Sequence, residues 1–324
     1  MARNYDVIIV GAGPAGLSAG ISVARQNISC LIISKDLGGQ MNFISKLENF
    51  PGSILSSGPI LAKTLENQYL SFSGEITVDV VEKIDETQDG LKLKTARGDY
   101  QAKAVIIAAG RIPNNLGIKN ESLFINRGLH YCSKCDAPYY QRRTVAVAGV
   151  GSYLLESGFL LSRMVSKVYL IFQGSSLAGN KDMISELEKK DNVELIPNSK
   201  IKSLEGNGFL QKITIVNSSE TEKSLQIDGL FVEMGSKINL DFVKHLVKLN
   251  SKKEIETNKK GETSHPSIFA VGDVTDNPYK HVATACGDGI SVGITAFNYI
   301  AKIDGKFGIK NDWKKKIGDT EYHF

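Results

Sequence analysis

A chain of 324 residues is long for one domain and comfortable for two, each with a core of its own. Its 42% hydrophobic and 23% charged residues read as globular, and a net charge of +4, with acids scattered among the lysines, makes nucleic acid a poor partner. No apolar run can span a bilayer and Met1 to Asp6 holds no apolar leader, so a cytoplasmic protein without a membrane partner is expected, and its four cysteines are too few for a secreted disulfide scaffold.

Tyr5 to Val10 is a β-branched run. The turn Gly11-Ala-Gly13-Pro-Ala-Gly16 follows, Leu17 to Ala24 has helical spacing, and Cys30 to Ile33 reads as the next strand. Strand, glycine turn, helix, strand is the opening of a dinucleotide-binding unit. In such a turn the first glycine bends the chain, the second lets backbone approach a pyrophosphate, and the third lets helix and strand pack closely. Gly11, Gly13 and Gly16 fill all three places. The acidic residue that commonly ends the second strand is missing from it, and Ser34-Lys-Asp36 stands there, which weakens a plain NAD reading.

Ile76 to Lys94 is hairpin-like, and Ala104 to Ala109 is a buried-looking strand that ends at Gly110-Arg-Ile-Pro113. The grammar of the first unit then returns: strand Thr144 to Ala148, turn Gly149-Val-Gly151, helix Tyr153 to Met164, strand Lys167 to Phe172. This second turn is poorer. Its third place is Leu154, whose side chain would push helix and strand apart, and the strand end Ile171 to Ser176 offers neither a carboxylate for a ribose nor an arginine for a 2′-phosphate. A retained fold with a weak or absent nicotinamide site is the reading. Beyond it, Ile227 to Glu233 and Ser267 to Val271 are strands, the latter leading into Gly272-Asp273, and Gly287 to Ile300 is a long helix. His245 to Lys260 and Lys314 to Lys316 are locally basic, and the segment from Asp304 to Phe324 is a polar tail with isolated aromatics.

Cys132-Ser-Lys-Cys135 can close a small disulfide or share a metal. A structural zinc needs two more ligands, and the neighbouring His130 lies too close in sequence to be the usual distant partner, so no metal is expected. The spacing suits a redox pair, in which Lys134 would favour a thiolate. Asp136, directly after, could carry a proton to the departing flavin or thiol, its other reading being a solvated turn residue.

In this order, Gly11-Ala-Gly-Pro-Ala-Gly16, Gly38-Gly-Gln40, Glu48-Asn-Phe-Pro-Gly52, Ala109-Gly-Arg-Ile-Pro113, Tyr131-Cys-Ser-Lys-Cys-Asp136, Val271-Gly-Asp273 and Ala283-Thr-Ala-Cys-Gly-Asp-Gly-Ile290 resemble the low-molecular-weight thioredoxin reductase family. The resemblance runs from Tyr5 to about Ala301. It implies an α/β fold of two Rossmann-like FAD/NAD(P)-binding domains, the second inserted into the first: 1–117 and 247–324 for FAD, 118–246 for the cysteine pair. It also implies an FAD cofactor, a homodimer and a thioredoxin-like protein as electron acceptor. By the same resemblance FAD is held by Gly11, Gly13 and Gly16, with Gly39, Gln40 and Asn49 near the ring. Gly110 also belongs to this set, with Gly272 and Asp273 toward the ribityl or phosphate end, and with Gly289 and Ile290 opening the helix that lines the isoalloxazine. Cys135 would be the sulfur nearer the flavin, Cys132 the thiol that attacks the partner's disulfide, and Asp136 the acid.

Relatives that use NADPH carry a His-Arg-Arg cluster after the second strand of the inserted domain, where this chain has Phe172-Gln-Gly-Ser-Ser176. Each charge-assisted bond lost is worth about 1.5 to 3 kcal/mol, so NADPH is expected to be a poor donor. The sequence is thus similar to branches that take electrons from reduced ferredoxin or a reduced deazaflavin, and Trp313, Tyr322 and Phe324 in the tail suit a covered flavin. An acidic donor such as ferredoxin is expected. An NAD(P)H-dependent thioredoxin reductase, a ferredoxin or flavodoxin NAD(P) oxidoreductase and a non-catalytic flavin redox sensor are the alternatives.

Overall fold

The computed structural model describes residues 3–44, 46–53 and 57–309. Trp313, Tyr322, Phe324 and Lys314 to Lys316 therefore lie outside the described residues. The chain divides into two compact units, one made of Met1–Gly39, Thr64–Gly110 and Asn239–Phe324, the other of Gln40–Lys63 and Arg111–Ile238.

In the first unit strand β1 (Arg3–Ala12) runs through the glycine turn into helix α1 (Pro14–Ala24), and strand β2 (Cys30–Leu37) follows. After helix α2 (Gly58–Ser71), strands β3 (Glu75–Val78), β4 (Val81–Thr87), β5 (Gly90–Thr95) and β6 (Gly98–Ile107) complete a seven-stranded sheet of order β3-β2-β1-β6-β5-β4, with the late strand Ile268–Ala270 also on β6. One edge of β6 is shared. Its first half pairs antiparallel with β5, Tyr100 opposite Leu93, and its last residues pair parallel with Ile268–Ala270, Val105 opposite Ile268. A segment that begins 161 residues after the end of β6, at Ile268, thus closes the same sheet, as expected of a domain interrupted by an insertion.

Val7, Ile8, Ile9, Ile32 and Ile33 are all fully buried, as parallel strands covered on both faces require. The expected hairpin from Ile76 to Lys94 is corrected: Glu75–Val78 is a parallel edge strand on β2, and the hairpin runs from Val81 to Thr95. The alternation that suggested a hairpin belongs only to that second part, where Val81, Ile84, Leu91 and Leu93 point inward between exposed charges. Tyr69 locks α2 to the sheet, its buried hydroxyl donating to the Cys30 and Glu75 carbonyls at 2.7 and 3.1 Å. Its ring stands 2.9 Å from where a Cβ on Gly20 would lie, so this mid-helix glycine is a packing requirement. The helix Val282–Ile303 crosses α1 as closely: a Cβ on Gly289 would fall 2.4 Å from the Ala15 carbonyl oxygen.

In the second unit a parallel five-stranded sheet is ordered Val193–Ile196, Lys167–Ile171, Thr144–Gly149, Gly229–Glu233, Leu129–His130. Helix Gly151–Ser162 follows the second glycine turn. A three-stranded antiparallel sheet, Ser199–Glu205, Lys212–Asn217 and Glu222–Gln226, was not expected from the sequence. Its strands are short and lysine-rich, and only Ile201, Leu204, Ile213, Ile215 and Leu225 turn inward to a core shared with Leu129 and Leu230. Among the described residues no helix is long and apolar enough to cross a membrane.

Candidate active site

The first glycine turn is built so that one position alone is open. Gly11 has φ of +113° and a Cβ there would lie 2.3 Å from the Ala108 carbonyl oxygen, while one on Gly16 would lie 1.9 Å from the Gly11 carbonyl oxygen. At Gly13 a Cβ would meet nothing within 4 Å. Gly13 is also the N-cap of α1, so the open space lies at the end of a helix that favours negative charge. The open space at the helix end suits the pyrophosphate of a dinucleotide such as FAD.

Around it the fold gathers most of the other expected ligands. A Cβ on Gly39 would stand 3.3 Å from the Gly13 Cα, and the Asp36 carboxylate, instead of waiting for a ribose, accepts the Gly39 N–H at 3.1 Å. Gly272, at φ of +77°, packs its α-carbon against Ala15, and half-buried Asp273 lies in the same short 3-10 turn. Gly110, at φ of +61°, follows Ala108 and Ala109, the residues against which Gly11 packs. Gly289 touches α1 as described, and the Ile290 carbonyl accepts the Ser22 hydroxyl at 3.0 Å while its side chain is exposed. Gln40 and Asn49 fall instead in the second compact unit.

The second glycine turn is filled by its own residues. Leu154 does not force helix and strand apart: it is fully buried among Val145, Val147 and Phe231, because Gly149 beside it leaves room for its Cβ. Glu233, opposite Gly149 in the parallel ladder, takes the Val150 N–H on its carbonyl at 3.1 Å. Its carboxylate accepts the Ser133 N–H at 3.0 Å. The Tyr153 ring lies 3.2 Å from where a Cβ on Gly235 would be. Glu233 thus holds the Val150 N–H through its backbone and the Ser133 N–H through its carboxylate. Its signal in the sequence is the one acid at the end of the otherwise apolar run Gly229–Glu233, which aligns with the turn only once the strand register is known.

Cys132 and Cys135 form a disulfide with Cα atoms 5.3 Å apart, at the start of the single-turn helix Ser133–Asp136. The Cys132 carbonyl accepts the Cys135 and Asp136 N–H groups at 3.2 and 3.1 Å, which closes the turn. Two contacts dock it on helix Gly151–Ser162: Ser133 Oγ is 2.7 Å from Ser157 Oγ, and Lys134 Nζ is 3.1 Å from Glu156. Lys134 is thus exposed and neutralised by Glu156 rather than aimed at a sulfur. Asp136 is no solvated turn residue. It is fully buried, with Oδ2 3.1 Å from His130 Nδ1, and His130 Nε2 lies 2.7 Å from the Tyr140 hydroxyl. The other two cysteines are poor nucleophiles: burial pushes the Cys30 thiol up to about 12 and raises that of Cys286.

A redox disulfide beside a buried carboxyl, on one dinucleotide-type unit while another keeps an open pyrophosphate cradle, is the arrangement of a disulfide oxidoreductase that works through a bound nucleotide cofactor. Residues 5–289 match the pattern of the family described as pyridine nucleotide-disulphide oxidoreductase, and the chain belongs to that family. It is similar to the 34.2 kDa protein in the rubredoxin operon of Clostridium pasteurianum, 32% identical over 301 residues, which cover 92% of this chain and 98% of that one. It is also similar to thioredoxin reductase of Bacillus subtilis, 30% identical over 304 residues, 93% of this chain and 96% of that one. The crystal structure of thioredoxin reductase from Streptococcus pyogenes matches with a TM-score of 0.85 at 31% identity, covering 93% of this chain and all of that one. The chain is a member of the low-molecular-weight thioredoxin reductase group, a family of FAD-dependent disulfide oxidoreductases.

Proposed function

We propose that this chain passes electrons from a low-potential donor other than NADPH through FAD and the Cys132–Cys135 disulfide to a thioredoxin-like protein. FAD, when bound, supplies the two electrons that open the disulfide. Cys132 is the thiol that attacks the acceptor's disulfide, Cys135 the sulfur that receives electrons, and Asp136 the acid that protonates a departing thiolate. Residues 1–117 and 247–324 form the FAD domain around the inserted 118–246, in a cytoplasmic homodimer.

The observation that carries the donor reading is the stretch Phe172 to Ser176, which holds no arginine to clamp a 2′-phosphate. At the turn itself the Val150 N–H is taken by the Glu233 backbone carbonyl, and the Glu233 carboxylate is held by the Ser133 N–H. For an acidic donor such as ferredoxin, Lys252 and Lys253 are exposed, whereas Lys244 and Lys248 are engaged by Asp241 and Glu256 at 2.7 and 3.1 Å. That pairing weakens the positive field the bare sequence suggests, and steering by this face is correspondingly modest.

Anaerobic mixing of the yellow holoprotein with NADPH, NADH, reduced ferredoxin and a reduced deazaflavin, followed by loss of flavin absorbance, tests the reading. Bleaching by ferredoxin or deazaflavin is expected, with the ferredoxin rate falling as salt rises, and NADPH at micromolar concentration is expected to be slower by at least about 100-fold, the loss of two charge-assisted bonds. Fast bleaching by micromolar NADPH overturns the donor assignment and leaves the disulfide assignment standing.

A further inference from the structure

Asp136 is sealed from water within its unit, at 0% exposure, and so is the imidazole that faces it, at 5%. An acid that gives up its proton on every turnover needs a way to regain one. Two polar groups lead away from it in sequence of contact. His130 Nδ1 faces Asp136 Oδ2 at 3.1 Å, and His130 Nε2 faces the Tyr140 hydroxyl at 2.7 Å. Tyr140 is half-buried, the outermost of the three. The rest of the wall is apolar or aromatic: Phe231 tilts over His130 with centroids 5.5 Å apart, and Tyr140 meets both rings edge-on at 5.4 Å.

His130 Nδ1 and Asp136 Oδ2 are within 3.1 Å of each other, close enough for a proton to pass between them. The Tyr140 phenol, pushed up to about 12 by burial and by the charges of Asp136 and Asp228, keeps its proton and lies within hydrogen-bond distance of His130 Nε2. Among the described residues, other charged or titratable groups near this line are Tyr139, whose phenol is raised by burial and by Asp136 and Glu48 against the lowering effect of Lys46 over its ring, Asp228 beyond Tyr140, Glu233 on the Ser133 N–H, and the exposed Lys134–Glu156 pair.

We propose that His130 and Tyr140 are positioning residues that form a proton line from solvent to Asp136. The inference rests on Asp136 being the acid of the proposed reaction. In balanced form, the two-electron-reduced flavin is oxidised, its two electrons break the Cys132–Cys135 S–S bond and leave two thiolates, and the proton that the reduced flavin carries is released to solvent. The Asp136 carboxyl gives its proton to one of them, which becomes a thiol, and the other remains a thiolate. Nδ1–H of His130 then passes to Asp136 Oδ2 as Nε2 takes the Tyr140 proton, and Tyr140 regains one from water. One solvent proton has entered and one thiol has formed.

Three variants of the holoprotein test the line, each followed in anaerobic single-turnover reduction with the parent's donor from pH 6 to 9. Asp136→Asn is expected to slow flavin-to-disulfide transfer by about 10- to 1000-fold, and His130→Ala by about 10- to 100-fold. Added imidazole should restore the His130→Ala rate in a saturable way. Tyr140→Phe, which keeps the ring packing, should slow the step increasingly as pH rises. Thiolate absorbance of the reduced, folded protein gives a second readout in a fourth variant: the cysteine titration curve of His130→Gln should shift from the parent's with no change in the flavin spectrum. If Asp136→Asn slows the step while Tyr140→Phe keeps the parent pH profile and imidazole does not rescue His130→Ala, the proton line is wrong and the acid stands. Parent rate in Asp136→Asn removes both. Should His130→Ala fail to fold, Tyr140→Phe alone decides, since only its hydroxyl is lost.

Discussion

Cys132→Ser is expected to abolish reduction of a thioredoxin disulfide, by at least about 10³-fold, while the flavin remains reducible by the donor. Serine is nearly isosteric but offers no thiolate at neutral pH, and losing an essential nucleophile typically costs three orders of magnitude or more. Cys135→Ser should lose the same turnover and, in addition, the re-oxidation of reduced flavin by the disulfide. The same substitution at Cys286 should leave turnover within about twofold, because burial keeps that thiol protonated and its sulfur lies 3.9 Å from the Pro14 carbonyl. Alkylation provides an independent check. The reduced protein should trap two fast-reacting thiols, both on the peptide that spans Cys132 to Cys135, and the oxidised protein none at that rate. Parent turnover in both serine variants would make the disulfide structural and end the proposed electron route.

Much of this was legible before any coordinates. The two strand, glycine turn, helix units emerged at their expected places because each signal is local: period-2 or continuous apolar runs for strands, helical spacing after a turn, and glycines where a Cβ cannot fit. The segment Ser267 to Val271 was read as a strand, and it joins β6 of the first sheet. What the sequence hid depends on register and on distant partners. Leu154 looked like a wedge between helix and strand, and only the neighbouring Gly149 and the shared core with Phe231 show it to be ordinary packing. Asp136 gave no sign of burial, since it follows an exposed Lys134 and a half-buried Cys135, and its cover comes from His130 and Tyr140. His130 was weighed only as a metal ligand. Its spacing of ten residues from Tyr140 has no helical or strand period to flag it, and the aromatic box closes only when Phe231 arrives on the neighbouring parallel strand. The lysines between 244 and 253 looked like a patch until Asp241 and Glu256 were found against two of them.

Gly13→Asp is expected to leave the apoprotein folded and to cost at least about 100-fold in FAD affinity, near 3 kcal/mol. The contrast with its neighbours makes the test sharp. Gly13 sits at φ of −75° and ψ of −174°, a conformation any residue adopts, and a Cβ there meets nothing within 4 Å, so the fold itself does not require glycine at this position. As the N-cap of α1 an aspartate is favourable, by a few tenths of a kcal/mol over glycine, so the thermal midpoint of the stripped protein should be unchanged or slightly higher. In the holoprotein that same carboxylate stands where a pyrophosphate must lie, adding steric bulk and like charge at the one open position of the cradle. Gly16→Val should behave in the opposite manner. Its Cβ would lie 1.9 Å from the Gly11 carbonyl oxygen, which forces β1 and α1 apart and destabilises the apoprotein by about 1 to 3 kcal/mol or more whether or not FAD is present. Circular dichroism melts of the stripped variants and titration with FAD, read by quenching of flavin fluorescence, separate the two effects. A Gly13→Asp protein that binds FAD as tightly as the parent would place the pyrophosphate elsewhere and dissolve the cofactor assignment at Gly11, Gly13 and Gly16. A Gly16→Val protein that melts with the parent would show instead that the turn can relax, and that the glycine spacing reflects ligand contact more than packing.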